Sequence, residues 1–325
     1  MPLRPSQAYR APRWLPGGHL QTLYPYLLRR LPSPPLTRAR WEAPDGDFIE
    51  VDWLVGPDNA PLVILFHGLE GDSRSHYARA LLRALWARGW CGAVAHFRGC
   101  SGTPNRLPRA YHSGDHPEID WILRRFAREH QGGARFAVGV SLGGNALLKW
   151  LAATGGDAAS VIAAAAAISA PVDLNAAGHR LGRGFNRLYT WHFLRTLKRK
   201  SLAKLARFPR LYDAAAVAGA RSLYEFDNLV TAPLHGYRDT DDYWTRASSK
   251  PELSRIALPT LIVHARNDPF LPGAHLPSAA EVSPQVRLEY PEHGGHVGFV
   301  SGTFPGNLDW LPARLLAFFE ETQRG

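Results

Sequence analysis

Short apolar runs bounded by Gly, Asp or Pro alternate along this chain with longer stretches of helical periodicity. LVILF (62–66), GAVAHF (92–97), RFAVGV (135–140), VIAAAAAIS (161–169), TLIVHA (260–265) and VRLEY (286–290) read as strands. Ahead of them RARWEAPDGDFIEVDWLV (Arg38 to Val55) alternates apolar and polar positions around Asp45-Gly46, a hairpin signal that predicts an antiparallel edge. The segments between strands have helical spacing. From Ser75 to Arg88, residues Tyr77, Leu81, Leu82, Leu85 and Trp86 form one apolar stripe, Arg79, Arg83 and Arg88 face away, and Gly89 stands as a stop. Asp115 and Glu118 sit three apart ahead of Ile119, Trp121, Ile122 and Phe126, the spacing of a capping box. A last helix is expected over about Asn307 to Glu321. Strands alternating with helices in this way predict an α/β fold, a mostly parallel sheet covered on both faces.

One stretch breaks the alternation. Between the strand ending near Ala170 and the one starting at Thr260 lie about 90 residues, far more than one helix and its loops need. An insertion is expected there. Its first part, Leu174 to Arg210, carries Arg180, Arg183, Arg187, Arg195, Lys198, Arg199, Lys200, Lys204, Arg207 and Arg210 and no acidic residue.

Composition narrows the class. The 325 residues are 45% hydrophobic and 20% charged, which excludes disorder over most of the length. Two cysteines, Cys91 and Cys100, exclude a disulfide-built fold and four-cysteine zinc sites. The Pro- and Arg-containing start, with Gly17-Gly18, lacks the unbroken apolar segment of a secretion signal. Val161 to Val172, the longest small-apolar run, is well short of the roughly 20 residues of a spanning helix. The expectation is a soluble, cytoplasmic protein. The net charge of +10 raises nucleic acid or an acidic surface as a partner.

The chemistry centres on Gly139-Val140-Ser141-Leu142-Gly143, a G-x-S-x-G string between the strand RFAVGV and the helical GNALLKWLAA. On such a strand-to-helix turn the flanking glycines let the two elements close up, and the Ser141 hydroxyl is pushed out at the carboxyl end of the sheet. A serine hydroxyl is a weak nucleophile and needs a base, itself oriented by a carboxylate. Asp268 follows the strand TLIVHA and His296 follows VRLEY, so both stand at carboxyl ends of strands. Each has a competitor. Asp268 could serve only as a loop cap, and His293 lies three residues from His296, which is preferred because Gly294-Gly295 let its loop turn back over the sheet. Oxyanion donors are expected from the backbone N–H of Leu142 and, in His67-Gly68-Leu69-Glu70-Gly71, of Leu69. No cofactor or metal is expected: H-E-x-x-H is absent, and His293 with His296 makes a thin pair.

With HGLEG, HFRGCSG (96–102), YHSGD (111–115), GVSLGGN (139–145), HGY (235–237), HARNDPF (264–270) and EHGGHVGF (292–299) in order, the chain resembles the YheT-type α/β-hydrolases, a group read as serine esterases. GGHLQTL (17–23) also resembles their start. The resemblance implies an α/β-hydrolase fold with eight strands and a helical cap inserted after the sixth, with Ser141 as nucleophile, Asp268 as acid and His296 as base. On that basis residues 1–36 are an N-terminal extension packing on the core, 37–173 and 256–325 the hydrolase core, and 174–255 a basic helical cap. The more distant eukaryotic relatives of that group include lipid and phospholipid hydrolases.

The leading expectation is a carboxylic-ester hydrolase working through an acyl-enzyme, with a lipase, phospholipase or acyltransferase as runner-up and a basic-surface binding protein as the non-enzyme alternative. Expected partners are small-molecule or lipid esters. For the basic segment, solvated arginine faces come first, an anionic substrate or membrane surface next, and nucleic acid last, because Phe185, Tyr189, Trp191, Phe193 and Leu194 interleave with the basic residues as in a lid over an apolar pocket. Arg98, His112 and Asp115 are read as scaffold, and Cys100 as a packed thiol.

Overall fold

A computed structural model describes residues 8–28 and 31–324; residues 1–7, 29 and 30 of the N-terminal extension and Gly325 lie outside the described residues. After α1 (Gly18–Leu28), β1 (Thr37–Glu42) and β2 (Phe48–Leu54) form the expected hairpin, with Glu42 opposite Phe48 and Gly46 turning the chain at φ 83°. They edge one eight-stranded sheet with β3 (Leu62–Phe66), β4 (Cys91–Ala95), β5 (Arg135–Val140), β6 (Ala164–Ile168), β7 (Thr260–Val263) and β8 (Val286–Glu289). The strand order is β1-β2-β4-β3-β5-β6-β7-β8. β2 meets β4 antiparallel, and the pairings from β3 and β4 through β8 are parallel.

Period-two alternation sends β3 into two cores. Leu62, Ile64 and Phe66 pack on one face against α3 (His116–Glu129) and α4 (Leu142–Thr154), whereas Val63 and Leu65 pack on the other against α2 (His76–Arg88) and α11 (Trp310–Arg324). Both faces are thereby shielded from water, which is why these strands read as continuous apolar runs. Between β6 and β7 the chain forms α5 (Leu174–Leu181), α6 (Arg187–Leu205), α7 (Ala214–Gly219), α8 (Leu223–Phe226), α9 (Ala232–Leu234) and α10 (Thr240–Ala247). This insertion has small cores of its own, one of them Leu194, Val217, Ala220, Phe226 and Val230. No helix of the described residues is long and apolar enough to cross a membrane.

Several local expectations need correction. Trp86 leaves the apolar stripe of α2 and is 56% exposed, while Ala78 joins Leu81, Leu82 and Leu85 in the core. Asp115 and Glu118 do not close a capping box, because Arg109 engages the Asp115 carboxylate at 2.6 Å and Arg98 that of Glu118 at 2.8 Å. β6 begins at Ala164 rather than Val161, since the N–H groups of Val161 and Ile162 close a turn on the Ala158 carbonyl. α11 begins at Trp310 rather than Asn307, whose backbone pairs with Ser301 instead.

Candidate active site

Ser141 occupies the sharp turn between β5 and α4 at φ 52°, ψ −120°, a left-handed conformation unusual for a residue with a Cβ. Its N–H is held by the Ile168 carbonyl at 2.8 Å. The neighbouring glycines are steric requirements: a Cβ on Gly139 would stand 2.4 Å from the Gly143 carbonyl oxygen, and one on Gly143 would stand 2.5 Å from that of Phe66. The turn can therefore close only with glycine on both sides of the serine.

Asp268 and His296 meet Ser141 from the loops after β7 and β8. His296 Nδ1 lies 2.8 Å from Asp268 Oδ2, and His296 Nε2 lies 2.9 Å from Ser141 Oγ. An ionised carboxylate can only accept, so Nδ1 carries the hydrogen and Nε2 accepts from the serine hydroxyl. Burial of Asp268 opposes its ionisation, but neighbouring His296 and His264 and the bonds from His296 and the Phe270 N–H outweigh it and hold the carboxyl below its usual value. Phe270 lies over the His296 ring with centroids 4.0 Å apart.

His293 is not brought into this chain of contacts. It is exposed, with Nδ1 3.3 Å from the Asn267 side-chain nitrogen. Sequence reasoning assigned no role to several supporting groups. His264, buried, places Nε2 3.3 Å from Asp268 Oδ2. Asn267 accepts the Gly295 N–H at 3.0 Å and donates to Gln21 Oε1 at 3.0 Å, and that oxygen also accepts the Gly294 N–H at 2.8 Å. Thr22 accepts the His296 N–H at 2.8 Å. The GGHLQTL string was the available signal: α1 backs directly on the histidine loop, and a Cβ on Gly298 would stand 2.0 Å from the Gln21 carbonyl oxygen.

The loop after β3 is pinned amide by amide. The Gly68 N–H donates to Tyr77 Oη, the Glu70 N–H to Tyr111 Oη and the Gly71 N–H to the Gly68 carbonyl. The Leu69 N–H has no acceptor among the described residues. Leu142 opens α4, where first-turn N–H groups have no acceptor within the helix. His67 supports the loop, donating from Nδ1 to the Gly68 carbonyl at 2.8 Å and accepting the Phe97 N–H at Nε2 at 3.0 Å.

The other singled-out residues make contacts within the fold. Arg98 holds Glu118 with Nε and Nη2, and Asp45 and Asp47 with Nη1, tying the loop after β4 to the hairpin and α3. His112 faces His235 of the insertion, ring centroids 4.3 Å apart, and burial lowers its pKa to about 3. Burial pushes the Cys100 thiol up to about 12, which leaves it a poor nucleophile.

The basic segment docks on loops of the core at three positions. Lys200 reaches Glu70 at 2.8 Å, Lys204 the carbonyls of Pro108 and Arg109 at 2.7 and 2.8 Å, and Arg207 those of Asn105 and Arg106 at 2.9 and 3.0 Å. Spaced four and three apart, they form one row of cations on and just beyond α6, docked on the loops after β3 and β4, with Lys200 and Lys204 half-buried and Arg207 exposed. The aromatic lid reading also divides: Tyr189 and Phe193 pack toward Phe270 and Leu194 is buried in the insertion, whereas Phe185 and Trp191 point outward. Beneath α6 lies a cavity of about 680 Å³ whose lining includes Ser141, Leu142, Leu69, Phe193, Leu197 and Trp244.

A nucleophile elbow on this sheet order, with an acid and a histidine delivered by the last two strand ends, defines an α/β-hydrolase. Residues 61–303 match the family model for the alpha/beta hydrolase fold, and the chain belongs to that family. It is 44% identical to YheT of Escherichia coli, whose name describes it as a presumed esterase, over 91% of this chain and 88% of that protein. It is 29% identical to the phospholipase ABHD3 of Mus musculus over 94% of this chain and 76% of that protein. Among solved structures, Est1E from Butyrivibrio proteoclasticus shares the fold at TM-score 0.56 and 16% identity, covering 89% of this chain and 99% of that one.

Proposed function

We propose that this hydrolase cleaves carboxylic esters through an acyl-enzyme, with Ser141 as nucleophile. The observation that carries the reading is the unbroken contact from Asp268 Oδ2 through His296 to Ser141 Oγ, at 2.8 and 2.9 Å. His296 Nε2 takes the hydroxyl proton as Ser141 Oγ bonds to the ester carbonyl carbon. The Asp268 carboxylate stabilises the imidazolium and holds the ring in the required tautomer. The developing oxyanion is received by the N–H groups of Leu69 and Leu142. Collapse expels the alcohol, which leaves with the proton from His296. Water, deprotonated by the same nitrogen, then attacks the acyl-enzyme and releases the acid and Ser141.

A second reading, a lipase or phospholipase acting on longer acyl chains, is favoured by the cavity of about 680 Å³, which is lined by such side chains as Phe193, Leu197, Phe226 and Val230 of the insertion. The name of ABHD3 as a phospholipase is consistent with it.

The test is labelling by a fluorophosphonate, wild type beside Ser141→Ala, followed by hydrolysis of esters of graded acyl length. The expected result is labelling of the wild type alone and a loss on the order of 10⁶ in rate for the variant. A variant that keeps most of its ester hydrolysis would overturn the proposal. Rates that rise with acyl length assign the enzyme to the second reading.

A further inference from the structure

The chemistry leaves unused a large apolar face on the outside of the molecule. α1 and the start of α6 lie side by side: the His19 ring is 4.6 Å from that of Phe185 and 5.9 Å from that of Tyr189, and Tyr26 Oη is 2.9 Å from His192 Nε2. On α1, on α6 and in the turn that leads into α6, Leu20, Tyr26, Leu27, Phe185, Leu188 and Trp191 are each 48 to 58% exposed. They are six of the nine large hydrophobic residues exposed among the described residues, so the exposure is concentrated rather than scattered.

The two segments that supply this face carry charge of one sign. The chain has no acidic residue before Glu42 and none from Leu174 to Tyr212, the two segments that supply the face. Arg13, Arg180, Arg183, Arg187 and Arg195 of these segments are exposed, and the Arg195 guanidinium lies 5.6 Å from the Trp191 ring centroid. Lys200, Lys204 and Arg207 are engaged by the loops after β3 and β4 and take no part.

We infer that this face docks on an anionic lipid bilayer. A bilayer satisfies both halves of the pattern: aliphatic side chains enter the boundary of the hydrocarbon, Trp191 and Tyr26 sit at headgroup level, and the arginines meet lipid phosphates. Nucleic acid would satisfy the arginines and leave the apolar side chains in water. The location is also apt. The opposite side of α6 supplies Phe193 and Leu197 to the cavity, and Tyr189 packs on Phe270, which stacks on His296. Docking here brings the wall of the cavity to the lipid surface. The inference stands apart from the ester-hydrolase reading, since binding is measured without turnover.

The experiment is co-sedimentation of the full chain with vesicles of phosphatidylcholine alone or containing phosphatidylglycerol, at low and at high salt. Binding is expected to the phosphatidylglycerol vesicles only. It should weaken about tenfold or more at high salt and in Arg187→Glu/Arg195→Glu. Leu188→Ser/Trp191→Ser should abolish it while turnover of a dispersed short-chain ester stays unchanged. Should that double variant fail to fold, the fluorescence difference between wild type and Trp191→Phe reads the same contact and should shift to the blue with phosphatidylglycerol vesicles. The inference is overturned by no sedimentation with these vesicles, by binding indifferent to phosphatidylglycerol or to the substitutions, or by an unshifted Trp191 signal. Self-association that Leu188→Ser/Trp191→Ser abolishes, without vesicle binding, would assign the face to a second copy of the chain and overturn it equally.

Discussion

The backbone N–H of His296 donates to the hydroxyl of Thr22, 2.8 Å away and 274 residues earlier in the chain, and that hydroxyl donates in turn to the Gly18 carbonyl. The histidine that faces Ser141 is thus seated on α1, outside the sheet and its covering helices. A group placed this way acts by positioning, and small displacements of a base are costly. Thr22→Val keeps the side chain's volume and removes the acceptor. Its kcat for a short-chain ester should fall about ten- to a hundredfold with KM unchanged, and Thr22→Ser should restore most of it. Equal rates in the three proteins would show that α1 merely covers the loop.

In the proposed mechanism Asp268 contributes charge as well as shape. Asp268→Asn should lower kcat on the order of 10⁴, because an amide neither stabilises the imidazolium nor enforces the tautomer. His293→Ala, at the exposed neighbour, should stay within about twofold of wild type, well inside the spread of surface substitutions. Steady-state kinetics on one dispersed ester checks both.

The closeness of α4 to β3 makes Gly143 a stability residue as much as a site residue. Gly143→Ala places a methyl group about 2.5 Å from the Phe66 carbonyl oxygen, where backbone on both sides must move. The expected cost is about 3 kcal/mol, read from the midpoint of urea unfolding. Unfolding at the wild-type midpoint would mean that the turn has slack.

Arg98 holds three carboxylates while its own side chain is 2% exposed. Arg98→Met should cost about 3 to 5 kcal/mol, chiefly because Glu118 and Asp47 are then left buried without their cation. The part that still folds should label with a fluorophosphonate at the wild-type rate, since the residue works on the fold and not on the reaction.

Acid should weaken the fold well above the carboxylate range. Burial lowers His67, His112 and His235 to about 3 and His76 to about 4, against an ordinary value of 6.5. Below about pH 6.5 the unfolded chain therefore binds protons that the folded chain refuses, and each histidine subtracts about 1.4 kcal/mol per pH unit. Asp227 works in the opposite sense: burial raises it to about 6, so the folded chain takes up a proton there before the unfolded one does. Burial raises the Glu118 carboxyl too, in the same sense as Asp227, but the lowered histidines, His264 among them, outnumber these two carboxyls. Urea melts between about pH 7 and pH 5 should show stability falling as pH falls, and a flat profile would contradict the burial of these rings.

The strands, α2 with its Gly89 stop, and the serine turn were legible because each is written in neighbouring residues. Period-two and period-3.6 spacing, turn chemistry, and the Gly139 and Gly143 sterics act over a few positions. The failures lay where a distant partner competed. The carboxylates of Asp115 and Glu118 have capping spacing, but Arg109 and Arg98 offer stronger, charge-assisted bonds than two backbone amides. Phe185 and Trp191 have lid-like spacing, yet Phe185 sits in the turn ahead of α6 and Trp191 falls on the face of α6 opposite Tyr189 and Phe193, so both are exposed while Tyr189 and Phe193 turn in.

The order of elements, the parallel sheet, the serine turn and the pair of loops that deliver Asp268 and His296 are all set by residues close together in the chain. Gly294-Gly295 already favoured His296 over His293 as the partner of Ser141, but the groups that seat it, Gln21, Thr22 and Asn267, act through bonds spanning up to 274 residues and are visible only in the folded chain. Folding alone divided the basic segment into a row docked on the core loops at Lys200, Lys204 and Arg207 and an outward rim of arginines. Charge and spacing can be counted along a chain, but which side of a helix meets protein and which meets solvent is set by what packs against it.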